Sequence, residues 1–203
     1  MERRKKQKKR AMSANHSPDC HLLAFTFAAE AYQDRIMTET HLPYLLHAGQ
    51  TAVEVLMALA KNPEGLDLEL AVQCALLHDV LENANMPYDK VQTIFGEPVA
   101  KGVLALSEDM SLPDELPVNL RLVDYLRRIR RQPREIWVVK MAERIVNLLH
   151  PVPENWGRDN LVRHIEESIA IHETLKEAHQ EMAKRLMWKI EVFGKQYLNK
   201  GIR

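Results

Sequence analysis

The sequence predicts a single all-α domain of roughly eight helices. Apolar residues recur at helical spacing from His21 to about Leu198, and no segment alternates like a half-buried strand over a useful length. Prolines and glycines fall between the periodic segments, where turns are needed. A chain of 203 residues that is 46% apolar fits one domain with a substantial core.

Each element follows in order. Leu22, Phe25, Ala29 and Tyr32 share a helical face. Ala48, Ala52, Val55, Leu56 and Leu59 define a second helix, which Pro63 and Gly65 end. Leu68 to Leu77 is a third, apolar nearly all round toward its end, as a central helix is. Tyr88 to Phe95 is short, with Gly96 as its stop. Pro98 suits the first turn of a helix running to about Leu106. Ser107 to Pro117 reads as a loop rich in prolines and acids. Asn119 can cap a helix continuing to Arg131, and Pro133 can open the next, through Trp137, Met141, Ile145 and Leu148. Pro151, Pro153 and Gly157 make a second loop. Asp159 then begins a long helical stretch, broken near Ala178 to Gln180.

Composition bounds the function. Lys+Arg and Asp+Glu are both 28, so the net charge is zero and a uniformly basic nucleic-acid binder is not expected. Two cysteines make no disulfide framework, and Cys74 reads as a small core residue, so a reducing, cytoplasmic setting is expected. Residues 1–19 read as a basic, disordered tail, not a signal peptide, because no apolar stretch follows the charges. The domain is expected over residues 20–200. No stretch approaches the length of a membrane span.

The chemistry concentrates in three segments. Ala75 to Asn83 delivers an adjacent His78 and Asp79 from an apolar helix, followed by Glu82. If that helix continues, the three lie close on one face. A buried helix end has no structural use for three ionisable groups unless they are paired or ligate something. Alone, the His-Asp pair is weak evidence, and a local ion pair with a satisfied core histidine is the stronger reading. His47 comes just as the second helix begins, after Pro43 and Tyr44. Glu143 sits inside an otherwise apolar helix, with Lys140 one turn before and Asn147 one turn after. Two imidazoles and two carboxylates make a mixed nitrogen and oxygen site, suited to Mn²⁺, Fe²⁺ or Zn²⁺ more than to Ca²⁺ or Mg²⁺.

Together these segments resemble the HD superfamily of metal-dependent phosphohydrolases. In detail they are similar to the hydrolase domain of the RelA/SpoT proteins and the small alarmone hydrolases. Ala24 to Glu30 is similar to that family's opening helix. Leu42 to His47 resembles its Pro-Tyr-x-x-His signature, and Ala75 to Ala84 its Ala-Leu-Leu-His-Asp-x-x-Glu-Asp-Thr. Phe95 to Ala100 resembles the Phe-Gly-x-x-Val that follows, and Lys140 to Asn147 resembles Lys-Leu-Ala-Asp-Arg-x-x-Asn. The match runs in order over roughly residues 22–150.

The resemblance implies roles. His47, His78 and Asp79 match metal ligands, and Glu143 stands where the family has an Asp ligand. Glu82 matches a catalytic carboxylate, and Asn83 replaces the acid beside it. Asn147 matches a residue near the substrate ribose or phosphate. Arg35 matches a basic residue that contacts phosphate, and Lys140 and Arg144 can offset phosphate charge. Asn83 carries no exchangeable proton at neutral pH but can still orient a water. Glu143 adds about 1.5 Å of reach over Asp.

The implied activity is hydrolysis of guanosine tetra- or pentaphosphate at the ribose 3′ position, releasing pyrophosphate, with Mn²⁺ as the favoured metal. The alternatives are another nucleotide substrate or a sensor that binds without turnover. The partner expected is a phosphorylated nucleotide, with no membrane and no specific nucleic acid. Elsewhere, His150 reads as a helix-end residue, and His164, His172 and His179 as a solvated face. Arg127, Arg128, Arg130, Arg131 and Arg134 read as a solvated helix end beside Glu108, Asp109, Asp114 and Glu115, with a phosphate-receiving rim as the alternative.

Overall fold

A computed structural model describes residues 19–108 and 117–198 of the chain. The described residues form nine helices: α1 Asp19–Ala31, α2 Leu45–Lys61, α3 Leu68–Leu77, α4 Tyr88–Phe95, α5 Glu97–Leu106, α6 Val118–Arg130, α7 Arg134–Asn147, α8 Arg158–Leu175 and α9 Gln180–Tyr197. Among them there is no strand, only an isolated antiparallel bridge between Ile36 and Pro43. The all-α expectation holds, and the long C-terminal stretch breaks where the sequence placed the break. The expected tail lies outside the described residues except for Asp19, which opens α1. Most of the expected acidic loop lies outside them too.

Two helices are central. α3 packs against α1, α2, α5 and α7, and every residue from Ala71 to Leu77 is buried. α7 packs against α2, α3, α6, α8 and α9, and is buried without interruption from Val138 to Val146. A helix covered on all sides has no polar face to spend, so the charged Lys140, Glu143 and Arg144 within α7 must find partners there.

The closest approach explains a glycine. A Cβ on Gly102 of α5 would come 2.5 Å from Ile136 Cδ1 and 2.9 Å from Cys74 Sγ, so a larger residue would force those side chains to shift where α5 lies against α3 and α7. Cys74 is fully buried there, as a small core residue. Gly96 takes φ of 86° and lets α4 stop and α5 begin within one residue.

Side-chain caps are few. The Asp67 carboxylate accepts from Leu70 N–H at 3.1 Å and caps α3. Asn119 does not cap α6: the helix begins one residue earlier, with Pro117 at its N-cap and no side-chain hydrogen bond.

Candidate metal centre

The apolar run of α3 drives that helix through the core, and its last turn presents His78 at the C-cap. The regular helix stops at Leu77. The chain then turns, with Val80 N–H on Leu77 O at 3.0 Å and Asn83 N–H on Asp79 O at 2.8 Å. Asp79 to Asn83 is therefore a single helical turn, not a continuation of α3. Met86 N–H closes the loop on Val80 O at 3.0 Å, with Asn85 at φ of 52°, a conformation asparagine tolerates better than most.

His47 reaches the same place from α2. A strap before that helix folds back on itself: Met37 N–H bonds Leu42 O at 2.9 Å and Tyr44 N–H bonds Arg35 O at 2.8 Å. This return sets Tyr44 and His47 against the end of α3. His47 Nε2 lies 3.1 Å from His78 Nε2, and Asp79 Oδ2 lies 3.1 Å from His78 Nε2 and 3.9 Å from His47 Nε2. One ligand atom from each of His47, His78 and Asp79 lies within 4.8 Å of the others. His78 Nδ1 is 2.8 Å from Ala75 O. That bond assigns the proton to Nδ1 and leaves Nε2 aimed at His47, the arrangement a metal-ligating histidine uses.

Glu143 lies outside that group of three. Its Oε1 accepts from Asn147 Nδ2, and its Oε2 pairs with Lys140 Nζ at 2.6 Å. A carboxylate oxygen has two lone pairs, so this buried atom keeps one beyond its contact with Lys140. Lys140 also sits 4.8 Å over the Tyr125 ring. Arg144 turns toward α8, with Nη1 3.1 Å from His164 Nδ1 and 3.7 Å from Glu167 Oε2. Glu82 Oε2 accepts from Glu108 N–H at 3.0 Å. Arg35 is exposed on the strap. Asn83 Nδ2 lies 2.8 Å from Tyr44 Oη, which in turn hydrogen-bonds Asp79 Oδ2.

Charge follows geometry. Burial, then the neighbouring His78, lowers His47 to about 4, so its imidazole is neutral near pH 7 and available as a ligand. Burial works against the Asp79 carboxylate, yet His78 and Tyr44 outweigh it and hold the group well below the usual range. Burial also opposes Glu143, but Lys140 and Arg144 bring it down to about 2. Glu82 moves the other way. Burial first, and then the Asp79 charge, raise its proton affinity against the pull of the Glu108 N–H.

Two residues near the cluster had no role in the sequence reading. Tyr44 stood in the quoted Pro-Tyr-x-x-His motif, which was the available signal. His150 was read as a helix-end residue. Its Nε2 bonds Gln50 Oε1 of α2 at 2.7 Å, and its ring lies edge-on to His47 with centroids 6.0 Å apart.

The remaining candidates are structural. The solvated face expected for the C-terminal histidines holds for neither His164 nor His179. His164 nests between Trp156 and Phe193, with ring centroids at 5.2 and 5.3 Å. His179 is fully buried, with Nε2 2.6 Å from Asn62 O and Nδ1 accepting from Met182 N–H to cap α9. His172 pairs with its neighbour Glu173 at 3.0 Å. Three of the five arginines bind backbone carbonyls at helix ends: Arg128 reaches Ser107 O at 3.1 Å, Arg130 reaches Thr174 O at 3.1 Å, and Arg134 reaches Glu177 O at 3.2 Å, while Arg127 and Arg131 are exposed as expected. Cations belong at the negative end of a helix. Asp109, Asp114 and Glu115 lie outside the described residues.

No family model matches the chain. Over 164 residues the chain is 25% identical to guanosine-3′,5′-bis(diphosphate) 3′-pyrophosphohydrolase MESH1 of Danio rerio, spanning 79% of this chain and 86% of that protein. The Xenopus tropicalis protein of the same name is 26% identical over 144 residues, covering 69% and 75%. The Homo sapiens protein is 24% identical over 172 residues, covering 81% and 89%. A solved structure, described as a metazoan ortholog of SpoT that hydrolyzes ppGpp and plays a role in starvation responses, superposes with a TM-score of 0.69 at 17% identity. It covers 93% of this chain and 99% of its own, and shows the shared all-α fold. Motif order, relatives and fold thus agree, and the resemblance to HD-type phosphohydrolases holds along most of the chain.

Proposed function

We propose that the chain is a metal-dependent phosphohydrolase that removes pyrophosphate from the 3′ position of guanosine tetra- or pentaphosphate. The observation that carries this reading is the group of buried His47 and His78 with part-buried Asp79, both imidazoles turned inward. The donor set fits a divalent cation. Two imidazole nitrogens and a carboxylate oxygen converge, Ala75 O holds a His78 proton on Nδ1, and Glu143 Oε2 has a lone pair beyond its Lys140 contact. His47, His78 and Asp79 would hold the ion, with Glu143 completing the set from α7, and Mn²⁺ is the ion favoured for such donors. When bound, the cation supplies charge neutralisation at a phosphoryl oxygen and acidity for a water.

The chain's own residues do the rest. Glu82, three residues after Asp79 and turned toward Glu108 N–H, has a raised proton affinity, the direction that suits a proton-transfer group. Asn83 acts beside it through hydrogen bonding alone. Lys140 holds Glu143 ionised and adds positive charge on the inner wall. Arg144 braces α8 and contributes its charge from that position. Asn147 orients Glu143 and offers a polar contact to substrate. Arg35, exposed at the rim, meets the phosphates. The relatives named above carry this activity in their names, and no helix among the described residues is long and apolar enough to cross a membrane. Both cysteines are buried and unpaired, in keeping with a reducing compartment such as the cytoplasm.

The test is a product assay on a panel of phosphorylated nucleotides, with Mn²⁺ and with chelator. Pyrophosphate release from guanosine tetraphosphate that chelator abolishes is the expected result. Turnover indifferent to chelator overturns the metal mechanism. Tight nucleotide binding with no turnover makes the chain a sensor instead.

A further inference from the structure

The Asn83 side chain ends a hydrogen-bond chain that begins on a candidate ligand, and the chain has only one consistent polarity. Asp79 is a carboxylate wherever it faces a cation, and a carboxylate accepts hydrogen bonds without donating. Tyr44 Oη must therefore donate to Asp79 Oδ2. With its single proton spent, the phenolic oxygen can only accept from the partner 2.8 Å away, so Asn83 must present its NH₂ group. The order is Asn83 to Tyr44 to Asp79.

We infer that Asn83 is a positioning residue whose amide commits the Tyr44 hydroxyl to Asp79, and so aims Asp79 with His47 and His78 at a divalent cation. A carboxylate at position 83 would reverse this. Tyr44 would then face two acceptors with one proton, and its oxygen would lose its donor. Asp79 would hold its hydrogen bond for only part of the time. The asparagine is thus matched to Tyr44, and its difference from the acid of similar hydrolases is part of how this site is held. The backbone that carries residue 83 is independent of its side chain, because Asn83 N–H bonds Asp79 O at 2.8 Å whichever group follows. Tyr44 is seated between the Tyr32 and His47 rings, with centroids at 5.1 and 5.4 Å, so removing its hydroxyl leaves the ring packed.

This inference rests on the metal reading above, and the experiment separates the two. Mn²⁺ affinity is measured by titration calorimetry on the full chain for wild type, Tyr44→Phe, Asn83→Asp and the double variant. Circular dichroism confirms that each is folded. Wild type should bind one Mn²⁺. Tyr44→Phe should weaken binding about 10–100-fold, the usual range for a partner that orients a ligand. Asn83→Asp, isosteric and more negative, should also weaken it, roughly 10-fold. The double variant should bind like Tyr44→Phe alone, because without the hydroxyl the polarity at position 83 no longer matters. A purely structural role would not produce that non-additivity. Wild type without stoichiometric Mn²⁺ overturns the metal site and this inference together. Wild-type binding with equal or tighter binding in Asn83→Asp, or with additive losses, overturns the relay alone. If Tyr44→Phe fails to fold, Asn83→Asp against Asn83→Leu decides: both weaken binding if the donor is needed, and unchanged binding in both refutes it.

Discussion

His179 and His78 are both almost fully buried imidazoles, and each has one ring nitrogen on a backbone carbonyl. They part at the second nitrogen. In His179 it accepts the Met182 N–H and caps α9, so both nitrogens are satisfied by backbone and one neutral tautomer suffices. In His78 it faces the Nε2 of His47 at 3.1 Å and Asp79 Oδ2 at 3.1 Å. Two nitrogens and an oxygen then share a space that one proton cannot serve well. The first neighbourhood is closed and holds α9 to the loop after α2. The second turns three ligand-type atoms toward one another, a grouping that a cation between them would satisfy. Burial alone therefore does not mark a metal site. The identity of the partner does.

Breaking the two histidines separately should give opposite phenotypes. His78→Ala should abolish stoichiometric Mn²⁺ in elemental analysis, and turnover with it, while circular dichroism stays helical. Metal retained at one per chain would show that the ligands lie elsewhere. Glu82→Gln should keep Mn²⁺ and nucleotide but lower kcat by about 10²–10⁴-fold, the range for a lost general acid or base. Unchanged kcat would remove Glu82 from the reaction. His179→Ala should leave Mn²⁺ affinity per folded molecule alone and instead cost about 2–4 kcal/mol of stability in denaturant unfolding. The lost cap, the small cavity and the stranded Asn62 carbonyl all contribute. A loss of metal affinity without a loss of stability would reverse the assignment of the two sites.

The same contrast shows what a sequence can carry. The helices were legible because apolar spacing and the Pro and Gly breaks are local, and Gly96 ended α4 where expected. The ordered motifs point to His47, His78 and Asp79 as one group, and the fold brings them together. Glu143 was harder. Its spacing to Lys140 and Asn147 was visible, but not that both would engage it and hold it outside the tight group of three. Tyr44 meets Asp79 across 35 residues, and His179 meets Asn62 across 117, so their roles depend on tertiary placement. Nothing local distinguishes His179, with both nitrogens on backbone groups, from His47. The arginines after Leu126 also looked like a surface cluster. Arg127 and Arg131 are exposed, whereas Arg128, Arg130 and Arg134 reach the carbonyl ends of α5 and α8, the latter more than 40 residues away.

His164 falls between the two cases and gives the smallest predicted effect. It is packed between Trp156 and Phe193 and touches Arg144, so it is neither closed by backbone nor poised for a cation. Burial first, then the Arg144 charge, lowers it from 6.5 to about 4. The unfolded chain therefore binds a proton at this site between pH 6.5 and 4 that the folded chain refuses. Stability from this site is complete above pH 6.5 and is lost as pH falls toward 4. Because the ring is partly solvated, the loss is on the order of 1–2 kcal/mol rather than the full value of the shift. His164→Gln should flatten unfolding free energy against pH in that window. His47 titrates in the same range in metal-free protein, so the comparison is made with Mn²⁺ bound and again without. The His164→Gln difference should be the same in both, since the ring is not part of the metal group. A difference that appears only in the metal-free protein would mean that His164 communicates with the cluster through Arg144 and Glu143.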